Sequence, residues 1–427
     1  MSHPRFSVRL STVLLVCLSA VLHGHGTEPT PAAVAPAIAT GQNENASDIS
    51  PEVESLLKLA GNLTDRGDYS AAEIAYRQIL YSPHSKRAEH QIGLIGYARM
   101  YRRQGSFTKA AAIYEKFLKE FPEDERVPDV YLDLGRTLRA MGAHRLAINR
   151  FYSVINSTLK LPTDSFDHYQ LLARTAQFEI AETYFEAGNF VEAGKFFARL
   201  RLLDLAPVDR ARAHFKSSYS MMLAGNLKDS IQAMRAYLLQ WPNDEHAPEA
   251  RHLLATTLRQ LNRTDEALHV TMDLLRGEQA QSDADPKRWA YWQRRTGNQL
   301  ANEFFHSGET THALTIYQRL LSLAPDPAWR LPVLYQVGLC YERLRALDRA
   351  REAYQKIVAE APATNNAELN DLAKMSAWRI NNMLWLDQTE QQLNAFFPAA
   401  PDGTPTFEFF PTAHDVPASP AAPPATL

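Results

Sequence analysis

The sequence predicts an all-α fold: a solenoid of about eight helical hairpins, closed by a C-terminal helix. Three observations predict it. A small residue recurs at Ala60, Ala98, Gly135, Ala181, Ser218, Ala255, Ala301 and Gly338, and a second follows twelve positions later, from Ala72 and Ala110 through to Ala313 and Ala350. Four positions beyond the second stands an aromatic in most units (Tyr76, Tyr114, Phe151, Phe197, Tyr317, Tyr354), with Met234 and Thr271 as the exceptions. Between the two small residues lies a turn residue: Gly67, Gly105, Gly142, Gly188, Gly225, Asn262 and Gly308. Self-similarity of this kind is the signature of stacked supersecondary units.

Each unit reads as two helices. In the third, Tyr131, Leu134 and Leu138 fall at i, i+3 and i+7, one face of a helix. Gly142 ends that helix, because glycine adopts the left-handed cap conformation without a Cβ penalty. The second helix follows from His144. Small residues are needed where two helices cross closely, and the aromatic one turn further along the face is expected to fill the gap between one hairpin and the next. Prolines close several units (Pro83, Pro122, Pro242, Pro325, Pro362), and others are expected to open the following helix (Pro51, Pro128, Pro248, Pro332). Successive first small residues are separated by 38, 37, 46, 37, 37, 46 and 37 residues. The two longer intervals predict longer loops or longer helices near residues 158–168 and 277–287. A last helix, ending near Phe396, carries Trp378 and Trp385 at a spacing suited to covering the final hairpin.

The ends differ in kind. Residues 1–26 read as a secretory signal: Arg5 and Arg9, then the apolar run Leu10 to Leu22, then Gly24 and Gly26 before a cut ahead of Thr27. That run is too short to span a bilayer. Cys17 raises a lipid-anchored alternative, against which Val16 stands as a residue larger than such processing prefers. Residues 27–50 read as a flexible leader, 51–396 as the solenoid and 397–427 as a disordered Pro- and Ala-rich tail. The tail holds Phe407, Phe409 and Phe410, which are expected to dock either on the chain's own C-terminal repeats or on a partner. Once Cys17 leaves with the signal, Cys340 is alone and reads as a buried structural thiol.

A formal net charge of -3 argues against a general nucleic-acid binder. There is no HExxH, CxxC, P-loop or GxSxG, and the 14 histidines are scattered. No catalytic residues, metal or cofactor are expected, and the reading is of a protein that is not an enzyme.

The pattern of small, aromatic and proline positions resembles the tetratricopeptide repeat, over Pro51 to about Phe396. With a signal peptide and junctions such as "FPED" before "VPDVYLDLG", the chain is similar in style to periplasmic repeat proteins of bacterial envelopes, among them the β-barrel assembly lipoprotein subunit and the Tol–Pal coordinator. The resemblance implies a right-handed superhelix with a concave groove lined by the first helices. Its outward positions are three before, one after and four after the first small residue. They yield Arg99, Arg102, Arg136 and Arg139, then Phe178, Phe185, Phe215 and Tyr219, then Asn298 and Asn302.

These residues suit an acidic or C-terminal peptide, since the arginine fork binds carboxylates bidentately. The competing reading pairs the arginines with Glu115, Glu120, Asp124 and Glu125, and places the aromatics in the core between hairpins. The function implied is an exported, non-enzymatic scaffold for a protein or peptide partner, in envelope assembly or maintenance. It is expected in the periplasm, with secretion as the alternative, and with outer-membrane or peptidoglycan association as a further expectation. The alternative function is a peptidoglycan- or polysaccharide-associated accessory whose Trp289, Tyr291 and Trp292 stack on sugars. Oligomeric state is not set by the sequence.

Overall fold

The computed structural model describes residues 49–158, 166–203, 205–276 and 285–397, and every regular element among them is helical. The signal segment, nearly all of the leader and the tail with Phe407–Phe410 lie outside the described residues. α1 (Pro51–Asp65) pairs with α2 (Tyr69–Leu80), α3 (Arg87–Arg103) with α4 (Phe107–Glu120), and α5 (Val127–Ala140) with α6 (His144–Thr158). The row continues with α7 (Phe166–Glu186) and α8 (Phe190–Leu200), α9 (Pro207–Leu223) and α10 (Leu227–Gln240), and α11 (Ala247–Gln260) and α12 (Thr264–Arg276). It ends with α13 (Pro286–His306) and α14 (Thr310–Leu321), α15 (Pro327–Arg343) and α16 (Leu347–Glu360), and a lone α17 (Ala367–Phe396). At most junctions the first helices of successive hairpins pack on one another, while most second helices pack between their own first helix and the next, an arrangement in which the first helices form the inner face.

Local chemistry sets the ends. The Asp68, Asn189, Asp285, Asp326 and Asn366 side chains each accept a backbone N–H in the first turn that follows. Gly142 sits at φ +77°, as the hairpin turn requires, and Asn262 takes the same role at φ +54°. In the eighth hairpin Arg345, at φ +61°, holds the left-handed position without any glycine to announce it. Pro332 does not open a helix. α15 starts five residues earlier, at Pro327 under the Asp326 cap, so Pro332 lies inside it and gives up a backbone hydrogen bond.

The small and aromatic positions meet as close contacts. A Cβ added to Gly135 would lie 2.5 Å from the Phe151 ring, and one added to Gly338 2.5 Å from the Tyr354 ring. Both aromatics therefore seal the crossing within their own hairpin, rather than only the gap to the next. Tyr76 also reaches forward, against Gly96 of the following hairpin. Tyr114, Phe151, Phe197 and Tyr354 are fully buried, and the two phenylalanines each contribute roughly 1.5–3 kcal/mol of burial.

The two long intervals are filled partly by helix. α7 and α13 have 21 residues each, against 14 in α5 and α11. They belong to a larger period. α3, α9 and α15 begin at residues 87, 207 and 327, and α5, α11 and α17 at 127, 247 and 367, a spacing of 120 residues in both series. The turn before the second series repeats as well. The Arg126 N–H donates to Asp124 Oδ1 at 2.8 Å, the His246 N–H to Asp244 Oδ1 at 3.0 Å, and the Asn366 N–H to Thr364 Oγ1 at 3.3 Å. The solenoid is thus three tandem sets of three hairpins, with the ninth hairpin unfinished.

Its missing second helix has a sequence cause. Counterparts of α6 and α12 would follow a turn at Asn382, yet α17 runs straight through it for 30 residues. Ala147 and Ala267, both buried at their crossings, correspond to Asp387, while buried Phe151 and Thr271 correspond to Gln391. Folding back would bury a carboxylate and an amide without partners. The segment stays an extension of the first helix, and its aromatics do not cover the final hairpin: Trp378 is 56% exposed and Trp385 59%.

Candidate functional site

The inner face opens with a ladder of ion pairs between successive first helices. Arg99 on α3 donates from Nε to Asp133 Oδ2 on α5 at 2.7 Å, and Arg102 Nη2 lies 3.5 Å from Asp133 Oδ1. One hairpin on, Arg136 donates from Nε to Glu179 Oε1 on α7 at 2.6 Å. Arg139 Nη1 lies 2.7 Å from Glu179 Oε2, and its Nε 3.5 Å from Glu186. Polarity then reverses, with Glu182 on α7 facing Arg212 at 2.9 Å and Lys216 at 3.3 Å on α9. Burial alone would lower the pKa of Arg99; the Asp133 carboxylate more than offsets this, and the net shift is upward.

The arginines are therefore engaged, but not with the acids the sequence suggested. Glu115 bonds Arg150, Asp124 bonds Arg126, and Glu120 sits near Lys116. The acids that matter, Asp133 and Glu179, stand two positions before the small residue of the next hairpin. Neither was singled out from the sequence.

An aromatic strip follows on hairpins four and five. Phe185 on α7 and Tyr219 on α9 have ring centroids 5.5 Å apart, both partly exposed, and Lys216 Nζ lies 4.6 Å from the Phe185 centroid. Met222, partly exposed, and Leu223, 38% exposed, extend the strip along α9. Phe178 is partly buried among Phe197, Leu200 and their neighbours. Phe215 is only 2% exposed and stacks on His246, so it supports the strip from below rather than lining it.

The two asparagines part company. Asn298 is 5% exposed, and its Oδ1 accepts no hydrogen bond from the described residues. Asn302 is partly exposed, and its Oδ1 accepts from the Tyr317 hydroxyl. Position explains much of this. Three residues before the small residue, Ile95, Leu132, Phe215, His252, Asn298 and Tyr335 are all buried, so that position faces the next hairpin rather than the groove.

Other titratable groups are structural. Cys340 is fully buried, and burial pushes its thiol up to about 12. His214 and His252 are 3% and 6% exposed, and burial lowers both to about 4, helped by Arg201 and Arg295 respectively. Among the described residues no group of three or more His, Cys, Asp or Glu side chains could hold a metal ion, and no helix is long and apolar enough to cross a membrane.

Two segments match tetratricopeptide repeat family models, residues 55–125 and residues 333–364. No curated protein matches the chain. Solved structures similar to it include a tetratricopeptide repeat protein from Parabacteroides merdae, at 14% identity and a TM-score of 0.38, covering 77% of this chain and all of that one. The C-terminal part of a repeat-containing protein from Cytophaga hutchinsonii gives 12% identity and a TM-score of 0.41, with 74% and 98% covered. The apo quorum sensor NprR from B. thuringiensis gives 14% and 0.42, with 72% and 86% covered. The chain carries tetratricopeptide repeats at residues 55–125 and 333–364, set within a continuous helical solenoid.

Proposed function

We propose that this protein is an exported, non-enzymatic scaffold that holds a segment of another protein on its inner face. The observation that carries the reading is the Phe185–Tyr219–Met222–Leu223 strip, a partly exposed apolar run on adjacent first helices, where single scattered apolar residues would need no explanation. The ladder beside it holds neighbouring first helices in register, which lets the strip meet a partner already organised. Because Arg99, Arg102, Arg136 and Arg139 already carry carboxylates, the partner is a segment with spaced apolar side chains rather than an acidic peptide.

Export and an envelope role rest on the leader sequence alone. The mature chain starts at Thr27 in this reading, and its mass after expression with the native leader checks it. The polysaccharide alternative draws on an exposed aromatic, Tyr291 at 50%. It is the weaker reading: Trp289 is buried, Trp292 sits against His252 and Arg295, and Tyr291 packs edge-on against Trp292 under the same Arg295, so no flat pair of rings is presented to a sugar. The test is a photo-crosslinking residue placed at Met222, with a matched probe at Ile74 on the outer helix α2, a residue that is 68% exposed. A protein adduct specific to the inner probe supports the scaffold, and equal adducts from both probes refute it.

A further inference from the structure

The unfinished ninth hairpin leaves an apolar helix face with a candidate occupant in the same chain. Trp378, Trp385 and Phe396 are 56%, 59% and 83% exposed. At 100° per residue the three project within about 20° of one direction along α17, with Asn381, Thr389 and Gln392 on the same side between them. In the first two sets of hairpins, a second helix packs back on the corresponding first helix, as α6 does on α5 and α12 on α11. Here α17 runs on past Asn382, where the turn would fall, so Trp385 and Phe396 sit on an overhang that would otherwise have formed the second helix, and there they stay exposed.

The sequence beyond α17 has what the face lacks. Thirty residues follow Phe397, and their only aromatics are Phe407, Phe409 and Phe410. Before them stands Pro401-Asp402-Gly403, a turn sequence: proline presets φ, aspartate bonds the backbone, and glycine accepts positive φ. In an extended segment Phe407 and Phe409 project to one side and Glu408 to the other. The lengths agree. Residues 404–410 span about 20 Å when extended at roughly 3.1 Å per residue. Trp385 and Phe396 are separated by about 16 Å of helix, at 1.5 Å per residue.

We infer that residues 404–410 return along α17 and seat Phe407 and Phe409 beside Trp385 and Phe396 on the exposed overhang of the same chain. The occupant is this chain rather than a second copy. Its local concentration beside α17 is set by a connection of a few residues, in the millimolar range, which outcompetes a second chain at ordinary protein concentrations.

The test uses the full mature chain with p-benzoylphenylalanine in place of Phe409, irradiated as an equal mixture of ¹⁴N- and ¹⁵N-labelled protein. The expected result is a cross-link to the α17 peptide spanning residues 380–397 within chains of one isotope. The double variant W378A/W385A is expected to reduce its yield at least fivefold. Both tryptophans are more than half exposed, so the variant keeps its solenoid, and an unchanged helical melt verifies this. Cross-links joining ¹⁴N to ¹⁵N chains would assign the face to a second copy and overturn the inference. Cross-links to α7 or α9, or none to α17, would overturn it too. The partner-binding strip is untouched in every arm, so this result and that reading fail separately.

Discussion

Arg136 on α5 and Glu179 on α7 join two hairpins, with the guanidinium Nε 2.6 Å from the carboxylate and the acid side chain only 13% exposed. Arg139 reaches the other oxygen of the same carboxylate. One acid thus anchors two bases across a junction where extra residues separate the repeats. Breaking such a pair leaves a largely buried charge unbalanced. Glu179→Gln is expected to cost about 1–3 kcal/mol of stability, since the arginines are partly exposed and water screens part of the loss. Arg136→Glu should cost at least as much, and the exchanged pair R136E/E179R should recover part of it. Denaturant melts of the two single variants and the double variant check this; additive losses would mean the two side chains do not interact.

The close aromatic contacts make a second prediction with two signs. Gly135→Ala places a methyl group 2.5 Å from the Phe151 ring, inside the packed crossing, and should destabilise by about 1–3 kcal/mol. Gly61 in α1 has nothing within 4 Å of the added Cβ. Gly61→Ala should therefore stabilise by up to about 1 kcal/mol through helix propensity alone. Thermal melts of the two variants that moved in the same direction would contradict the packing account.

The sequence placed Gly135 and Phe151 on the packed faces of one hairpin, but it assigned the aromatic to the gap before the next hairpin, where the structure sets it against Gly135 itself. Partners across a junction depend on register between hairpins, and there the reading reached the arginines but not Asp133 or Glu179. A signal was present. Asp133, Glu179 and Lys216, two before the small residue, are opposite in charge to Arg99, Arg136 and Glu182, one after it in the preceding hairpin. The three-hairpin period was likewise written in the intervals, where each long step recurs after two short ones. Phe215 and Asn298 misled because their position faces the next hairpin once a next hairpin exists, and Trp378 and Trp385 because the last helix has none to face. Nothing in the sequence around Arg345 marks it as a left-handed turn residue; only its place in the repeat does.

Acid should loosen the middle of the row before its ends. His214 on α9 and His252 on α11 are held neutral, with burial lowering both to about 4 from an ordinary 6.5. Below about pH 6.5 the unfolded chain takes up protons that the folded chain refuses, so each histidine lowers stability as pH falls, until about pH 4. The slope approaches roughly 1.4 kcal/mol per pH unit for each. Above pH 6.5 they contribute no pH dependence. H214Q and H252Q are each expected to flatten the fall in stability between pH 6.5 and 4.5 relative to the parent chain. Parallel curves across that window would show that neither histidine is excluded from protonation.

The inner face provides the last prediction, because its two halves should respond differently to charge. Reversing Arg99, Arg102, Arg136 and Arg139 to glutamate sets each new acid beside Asp133 or Glu179, and the helical melt should fall by several kcal/mol in total. Loss of binding in that variant would say nothing about contact with a partner. Leu223 is different: it is 38% exposed at the end of the aromatic strip and carries no ion pair, so Leu223→Glu should cost about 1 kcal/mol, well short of the arginine reversals. A partner burying apolar side chains on Phe185, Tyr219 and Met222 would have to desolvate that glutamate. Capture of the protein cross-linked from position 222 should then fall at least tenfold, about 1.4 kcal/mol. Retained capture by Leu223→Glu with an otherwise intact melt would move the binding surface away from this strip, and a melt that collapses would place Leu223 in the core.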